Sequence, residues 1–251
     1  MSSTRDAVRE RYRARALQMA DTGCCGSGCC DASAEDGCGT GYSAEELAEV
    51  GLDGSVSLGC GNPMLLARLS PGETVLDLGS GGGLDVLLSA RRVAPGGHAY
   101  GVDMTDEMLA VANRNRDRAG IENATFLKGT IERVPLPDDS VDVVISNCVI
   151  NLAEDKGEVI REAFRVLRPG GRFAVSDMVA LRDLPPEVKQ ALDAWAGCVA
   201  GTIPIERYRQ LMEDAGFEQV DFEITNEQSV EGLPGAIGSA AIRARKPLVA
   251  V

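Results

Sequence analysis

Two groups of residues in this 251-residue chain have the types and spacing to do chemistry. The first is a glycine-rich turn, Asp77-Leu78-Gly79-Ser80-Gly81-Gly82-Gly83, with a second acidic residue, Asp103, further on. Glycines let a backbone turn tightly and approach a ligand closely, and a carboxylate at Asp103 can accept hydrogen bonds from ribose hydroxyls. Counted from Gly79, the sixth position is Leu84 instead of the last glycine of a dinucleotide fingerprint, and no Gly-Lys-Ser/Thr serves a nucleoside triphosphate. Asp77 at the head of the turn would repel a pyrophosphate and suits a ligand carrying an ammonium and a sulfonium.

The second group is the cysteines, eight in all. Three are isolated: Cys60 in Leu58-Gly59-Cys60-Gly61-Asn62-Pro63, Cys148 in Ser146-Asn147-Cys148-Val149-Ile150-Asn151-Leu152, and Cys198 in Gly197-Cys198-Val199-Ala200-Gly201. A single free cysteine is most often a small buried hydrophobe, but three flanking one crevice make a thiophilic site. The others, Cys24, Cys25, Cys29, Cys30 and Cys38, crowd into one N-terminal stretch. That cluster can deliver a thiophilic ligand inward, exchange disulfides, or bind zinc; a bland alternative is an oxidisable loop with little role. Zinc is the weaker reading, because adjacent cysteines do not both reach tetrahedral geometry without a C-x-x-C spacer.

These residues must be positioned by a larger frame. Residues 4–20 read as a helix with Val8, Tyr12 and Met19 on one face, and residues 21–41, rich in Gly, Ser and Cys, read as a mobile loop. Ser43 and Glu46 form a capping box for a short helix, and Pro63 starts another behind Asn62. From residue 74, β-branched runs alternate with amphipathic stretches. Strands are expected at 74–78, 98–103, 124–127, 141–146 and 172–176, with helices near 84–93, 106–119 and 154–168, the last closed by Pro169-Gly170-Gly171. This alternation predicts an α/β fold with a parallel sheet and helices on both faces. Runs 219–224 and 236–245 are expected to finish the sheet antiparallel, after a helical insertion over 185–215. The organisation expected is an N-terminal helix and Cys-rich loop over 1–45, a ligand-binding domain over 46–180, and a covering and closing region over 181–251.

Composition sets outer limits. A net charge of −13 and the lack of a basic stretch argue against a nucleic-acid surface. No run of roughly 18 apolar residues is present to span a membrane, and the arginine-rich N-terminus has no secretory signal. A cytoplasmic location follows, where cysteines are expected as free thiols or metal ligands and not as structural disulfides.

The turn, the acidic end of the second strand and the Leu167-Arg168-Pro169-Gly170-Gly171 run resemble the class I methyltransferases over roughly residues 70–180. The resemblance implies a Rossmann-like fold with a seven-stranded, mostly parallel sheet and S-adenosylmethionine as cofactor. It further implies that Asp77, Gly79, Ser80 and Gly81 meet the methionine part, that Asp103 holds the ribose with Met104 beside the adenine, and that Thr130, Ile131 and Asn147 complete the site. Thr130 stands where many relatives have an acidic residue.

LGCGNP (58–63), VLDLGSGGG (75–83), GVDMT (101–105), SNCVINL (146–152) and the Gly197–Gly201 segment narrow the resemblance to the arsenite methyltransferases. By it, Cys60, Cys148 and Cys198 are thiolates that bind trivalent arsenic, with a further family cysteine at Cys24 or Cys25. Substrates would be arsenite or methylated trivalent arsenicals, and thioredoxin or glutathione would reset oxidised thiols. Three thiolates displace the hydroxyls of arsenous acid and leave a lone pair as nucleophile, so no general base is required; the one histidine, His98, lies opposite the ligand edge and reads as structural. Some relatives carry a tyrosine where this chain has Leu58, so any orienting role of that ring falls elsewhere here. Two other functions fit the same residues less fully: methylation of a small organic molecule, and non-catalytic sequestration of a metalloid.

Overall fold

The computed structural model describes residues 4–21, 42–52, 61–183, 201–230 and 233–248. The Cys-rich segment, Leu58, Cys60, Cys198 and most of the expected 185–215 insertion lie outside these residues.

Among the described residues, seven strands form one sheet in the order β3-β2-β1-β4-β5-β7-β6. They are β1 Thr74–Leu78, β2 His98–Asp103, β3 Ala124–Lys128, β4 Val141–Asn147, β5 Leu167–Ala180, β6 Glu218–Val230 and β7 Leu233–Arg245. β1 to β5 run parallel, and β7 pairs antiparallel with both β5 and β6. The described helices are α1 Thr4–Asp21, α2 Ala44–Glu49, α3 Pro63–Ala67, α4 Leu84–Val93, α5 Asp106–Ala119, α6 Lys156–Val166 and α7 Ile205–Asp214. This is the expected Rossmann-like arrangement, with apolar cores on both faces: Leu87, Leu88 and Val93 of α4 pack on one, Ile160 of α6 and Tyr208 and Met212 of α7 on the other.

Local chemistry explains the element ends. Ser43 and Glu46 close the expected capping box at α2, and the Asp155 side chain caps α6 by accepting from Gly157 and Glu158. Gly120, at φ 62°, ends α5 in the left-handed conformation. One expectation needs correction. The Pro169-Gly170-Gly171 turn does not stand apart as a helix stop, since α6 ends at Val166 and β5 already begins at Leu167. The Lys246 backbone draws this stretch into the sheet, its carbonyl accepting from Gly170 and its amide donating to Gly171.

The sheet order reverses direction of growth at β1, flanked by β2 and β4. Ligands in open α/β sheets bind where such neighbouring connections diverge, beyond the carboxyl ends of the strands.

Candidate active site

The glycine-rich turn leaves β1 and wraps back over β2, with the amides of Gly79 and Ser80 both donating to the Val102 carbonyl at 2.9 and 3.0 Å. Gly79 (φ 73°) is pressed against β4's exit, so that an added Cβ would fall 2.4 Å from Val149 Cγ1. Gly81 (φ 49°) has nothing within 4 Å of such a Cβ and turns an open backbone surface to the cleft. Its amide donates to Asp103 Oδ2 at 3.0 Å, while Thr105 N donates to Oδ1 at 2.8 Å. The Asp103 carboxylate therefore braces the turn and keeps lone pairs for a further donor.

Turn, strand ends and α1 enclose one cleft of about 1060 Å³, counting space open to solvent. All nine residues expected to hold the cofactor line it: Asp77, Gly79, Ser80, Gly81, Asp103, Met104, Thr130, Ile131 and Asn147. Sequence reasoning missed Asp85, Glu132 and Glu154, which make the lining more acidic, and the α1 residues Arg5, Val8 and Tyr12, which form its outer wall. α1 is held by Tyr12, Ala16 and Met19 against Met108 and Val111 of α5, and by ion pairs Arg5–Glu132 (3.1 Å) and Arg13–Glu107 (2.9 Å). The apolar face of α1 is visible in the sequence; the surface that receives it is not.

The electrostatics favour a cation. Burial, then the neighbouring Asp85 and Asp103 carboxylates, push Asp77 well above the usual aspartate range. Burial likewise raises Asp103, against the amide hydrogen bonds that lower it. Asp85 is pushed up to about 6, with the Tyr42 phenol opposing that rise by donating to its Oδ1 at 2.5 Å. The buried Asp77 and Asp85 and the partly buried Asp103 form a carboxylate cluster that a ligand with two positive charges would relieve. The buried Ser80 hydroxyl, with no hydrogen-bond partner among the described residues, is a further group left for a ligand. Carboxylates, an open glycine backbone and an apolar wall of Val8, Ile131 and Met104 fit the ammonium, sulfonium and adenosyl parts of S-adenosylmethionine.

Asn147 connects this cleft to the cysteines. Its Nδ2 donates to the Tyr42 hydroxyl at 3.1 Å and to the Gly61 carbonyl at 2.7 Å, and its Oδ1 accepts from the Gly61 amide at 3.2 Å. Gly61 follows Cys60 in the chain, and Asn147 precedes Cys148. Gly61 also abuts β5, where an added Cβ would fall 2.1 Å from Ser176 Oγ. Cys148 itself donates its amide to the Ser176 carbonyl at 2.8 Å and takes φ 58°, a left-handed conformation unusual for a residue with a Cβ.

Cys148 is 2% exposed and disulfide-bonded, with its partner outside the described residues. This corrects the expectation of free thiols at that position. Cys60, Cys198, Cys24 and Cys25 lie outside the described residues.

His98, at the opposite end of β2, hydrogen-bonds Thr125 Oγ1 at 2.9 Å and packs on Tyr100 with ring centres 4.6 Å apart. These contacts place it away from the cleft, at the edge opposite the glycine-rich turn. No described helix is long and apolar enough to cross a membrane.

A family model described as a methyltransferase domain matches residues 69–216. The arsenite methyltransferase of Halobacterium salinarum is 42% identical over 263 aligned positions, covering 97% of this chain and 67% of that protein. That of Aquipseudomonas alcaligenes is 38% identical, covering 86% of this chain and 61% of its own length. The human arsenite methyltransferase is 37% identical over 57% of this chain and 40% of its own length. The chain thus spans two thirds or less of the length of these curated relatives. Among solved structures, the arsenic(III) S-adenosylmethionine methyltransferase of Chlamydomonas reinhardtii superposes with a TM-score of 0.68 at 35% identity, covering 82% of this chain and 74% of that one. A Haemonchus contortus phosphoethanolamine N-methyltransferase bound to S-adenosylmethionine has a TM-score of 0.63 at 18% identity and shares the fold.

Proposed function

The chain belongs to the arsenite methyltransferase family, and from that premise we propose that it transfers the methyl group of S-adenosylmethionine to trivalent arsenic held by its own thiolates. The observation that carries this reading is Asn147, which lines the acidic cleft and at the same time clasps the residue beside Cys60 from the residue beside Cys148.

In this reading Cys60, Cys148 and Cys198 ligate arsenite or methylated trivalent arsenicals, and Cys24 or Cys25 supplies an additional thiol. Asp77, Gly79, Ser80, Gly81, Asp103, Met104, Thr130, Ile131 and Asn147 hold the cofactor, which when bound supplies an electrophilic methyl on a sulfonium. Soft thiolates select a soft element. They displace hydroxyls from arsenous acid and leave arsenic with an outward lone pair, which is the nucleophile. No side chain has to remove a proton, consistent with the placement of the one histidine at the far end of the sheet. The protein's contribution is to orient the two reactants and to keep water from the methyl group.

Methylation raises arsenic to the pentavalent state. Two thiols closing to one disulfide give up two electrons, which return it to the trivalent state. The disulfide at Cys148 supports thiols close enough for this step. Thioredoxin or glutathione in a reducing cytoplasm would reopen it.

The test is product speciation after incubation with arsenite, labelled cofactor and a thiol reductant. Labelled methylarsenicals are expected from the wild type and none from Cys60→Ser, Cys148→Ser or Cys198→Ser. Absence of methylated arsenic from the wild type would overturn the reading, as would full activity in Cys148→Ser.

A further inference from the structure

A tyrosine outside the cleft and an aspartate of α4 form a unit that the cofactor residues read from the sequence do not include. The Tyr42 hydroxyl donates to Asp85 Oδ1 at 2.5 Å and accepts from Asn147 Nδ2 at 3.1 Å. Asp85 and Asn147 both line the acidic cleft; Tyr42 does not, and reaches it through them. Its ring is 8% exposed and belongs to the apolar cluster that includes Val50 and Leu84. A phenylalanine would satisfy that packing, so packing alone does not account for the hydroxyl.

The chain beside Tyr42 is anchored on several sides. Ser43 and Glu46 close the capping box of α2. The Glu46 carboxylate also accepts from Arg92 of α4 and, at 3.3 and 3.4 Å, from the Asn62 side chain that precedes α3. One glutamate therefore ties α2 to its neighbours, and with it the residue just before the cap. At the receiving end, Asp85 stands in the first turn of α4, where the helix dipole favours an anion. A carboxylate has about four acceptor sites and the phenol occupies one, so others remain for a donor in the cleft.

The surrounding charges single out this carboxylate. Burial pushes Asp85 up to about 6; the Tyr42 and Asn147 hydrogen bonds oppose the rise, Glu46 adds to it and Arg92 opposes it. Asp77 is pushed well above the usual aspartate range, by burial and then by Asp85 and Asp103, so its charge is suppressed. Asp85 is thus the one of this pair that is ionised at neutral pH, and the phenol favours that ionised form.

We propose that Asp85 receives the ammonium at the amino-acid end of the cofactor, and that Tyr42 is the positioning residue that aims its carboxylate. This rests on S-adenosylmethionine as the cofactor and not on arsenic as the methyl acceptor. It divides the work of the cleft. Asp103, which accepts from the amides of Gly81 and Thr105, is left for the ribose, and the amino-acid end is selected on the α4 side.

Two probes separate the ends of the ligand without turnover. S-adenosylhomocysteine carries the ammonium; methylthioadenosine has the same nucleoside and thioether but no amino-acid end. Tyr42→Phe keeps the ring and removes the hydroxyl. We expect it to lower S-adenosylhomocysteine affinity at pH 7 about tenfold and to leave methylthioadenosine affinity within about twofold. The pH at which S-adenosylhomocysteine affinity rises should also move upward from about 6, because the phenol no longer favours the ionised carboxylate. Lost packing alone would weaken both probes and leave that midpoint in place. Asp85→Asn should narrow the gap between the probes by itself, and adding Tyr42→Phe to it should cost little more, as for two residues acting as one unit. Equal losses for both probes, an unchanged S-adenosylhomocysteine affinity in Tyr42→Phe, or fully additive losses in the double variant overturn the proposal. A wild type that binds methylthioadenosine as tightly as S-adenosylhomocysteine overturns it too and leaves the cofactor reading standing. A wild type that binds neither probe overturns both.

Discussion

Asn147 holds Gly61 by both polar groups of its backbone, accepting from the amide and donating to the carbonyl. A single hydrogen bond fixes a distance; two opposed ones also fix an orientation, here between the chain just after Cys60 and the chain just before Cys148. Breaking this clasp strands partly buried polar groups, at about 1–3 kcal/mol. Asn147→Ala should therefore weaken arsenite binding by about tenfold while the thermal transition stays cooperative. Titration of the reduced variant with arsenite checks this, and wild-type affinity would contradict it. Gly61→Ala should do more harm, since its methyl would collide with Ser176.

The carboxylate of Asp103 lines the acidic cleft. It receives the amides of Gly81 and Thr105, and no described contact joins it to Cys148. Asp103→Ala should lower affinity for S-adenosylmethionine by about tenfold or more, because charge-assisted hydrogen bonds are worth about 1.5–3 kcal/mol. Arsenite affinity should hold. Calorimetric titration of the two ligands separates the outcomes, and parallel losses would show the two sites to be misassigned.

From sequence alone, removal of residues 1–41 is expected to slow arsenite use without destroying the fold. The position of α1 adds a second effect, because Val8 and Tyr12 are part of the cleft wall. Removing residues 1–21 should weaken cofactor binding severalfold, and Tyr12→Ala should reproduce part of the loss with the sheet intact. Unaltered binding of S-adenosylhomocysteine by either protein would remove α1 from the site.

Cofactor binding should also move protons. Burial raises Asp85 to about 6, so folding favours its protonated form; stability from this group is present below the ordinary aspartate value and is lost as pH rises through about 6. A ligand with two positive charges favours the ionised form instead. Affinity for S-adenosylmethionine should therefore rise as pH increases through about 6, with proton release on binding below it. Calorimetry in buffers of different ionisation enthalpy measures this directly, and Asp85→Asn should flatten the profile. Affinity independent of pH between about 5 and 7 would rule out the carboxylate cluster as the cause.

Much of the frame was legible because its signals are local. Strands β1 and β2 and helices α4 and α5 fall where β-branched runs, Gly83, Thr105 and Gly120 place them. That the nine candidate residues share one cleft was legible because a parallel sheet with this connectivity delivers successive strand ends to one edge. The start of β5 was misplaced because Pro169 and Gly170 carry a turn signal, while Lys246, which overrides it, lies far along the chain. Asp85 looked like an ordinary helix residue; only folding brings Tyr42 onto it.

The helix that walls the cleft has a bearing on how the protein comes into being. A chain leaving the ribosome releases α1 before the strands of this sheet, yet the groups that receive it lie 94 residues later at Glu107 and 127 residues later at Glu132. Until then the helix has no surface to dock on, and the arginines along it, Arg5, Arg9, Arg11, Arg13 and Arg15, suit it to wait in water. A nascent chain therefore cannot retain the cofactor early; its capture marks a molecule whose central strands have already met.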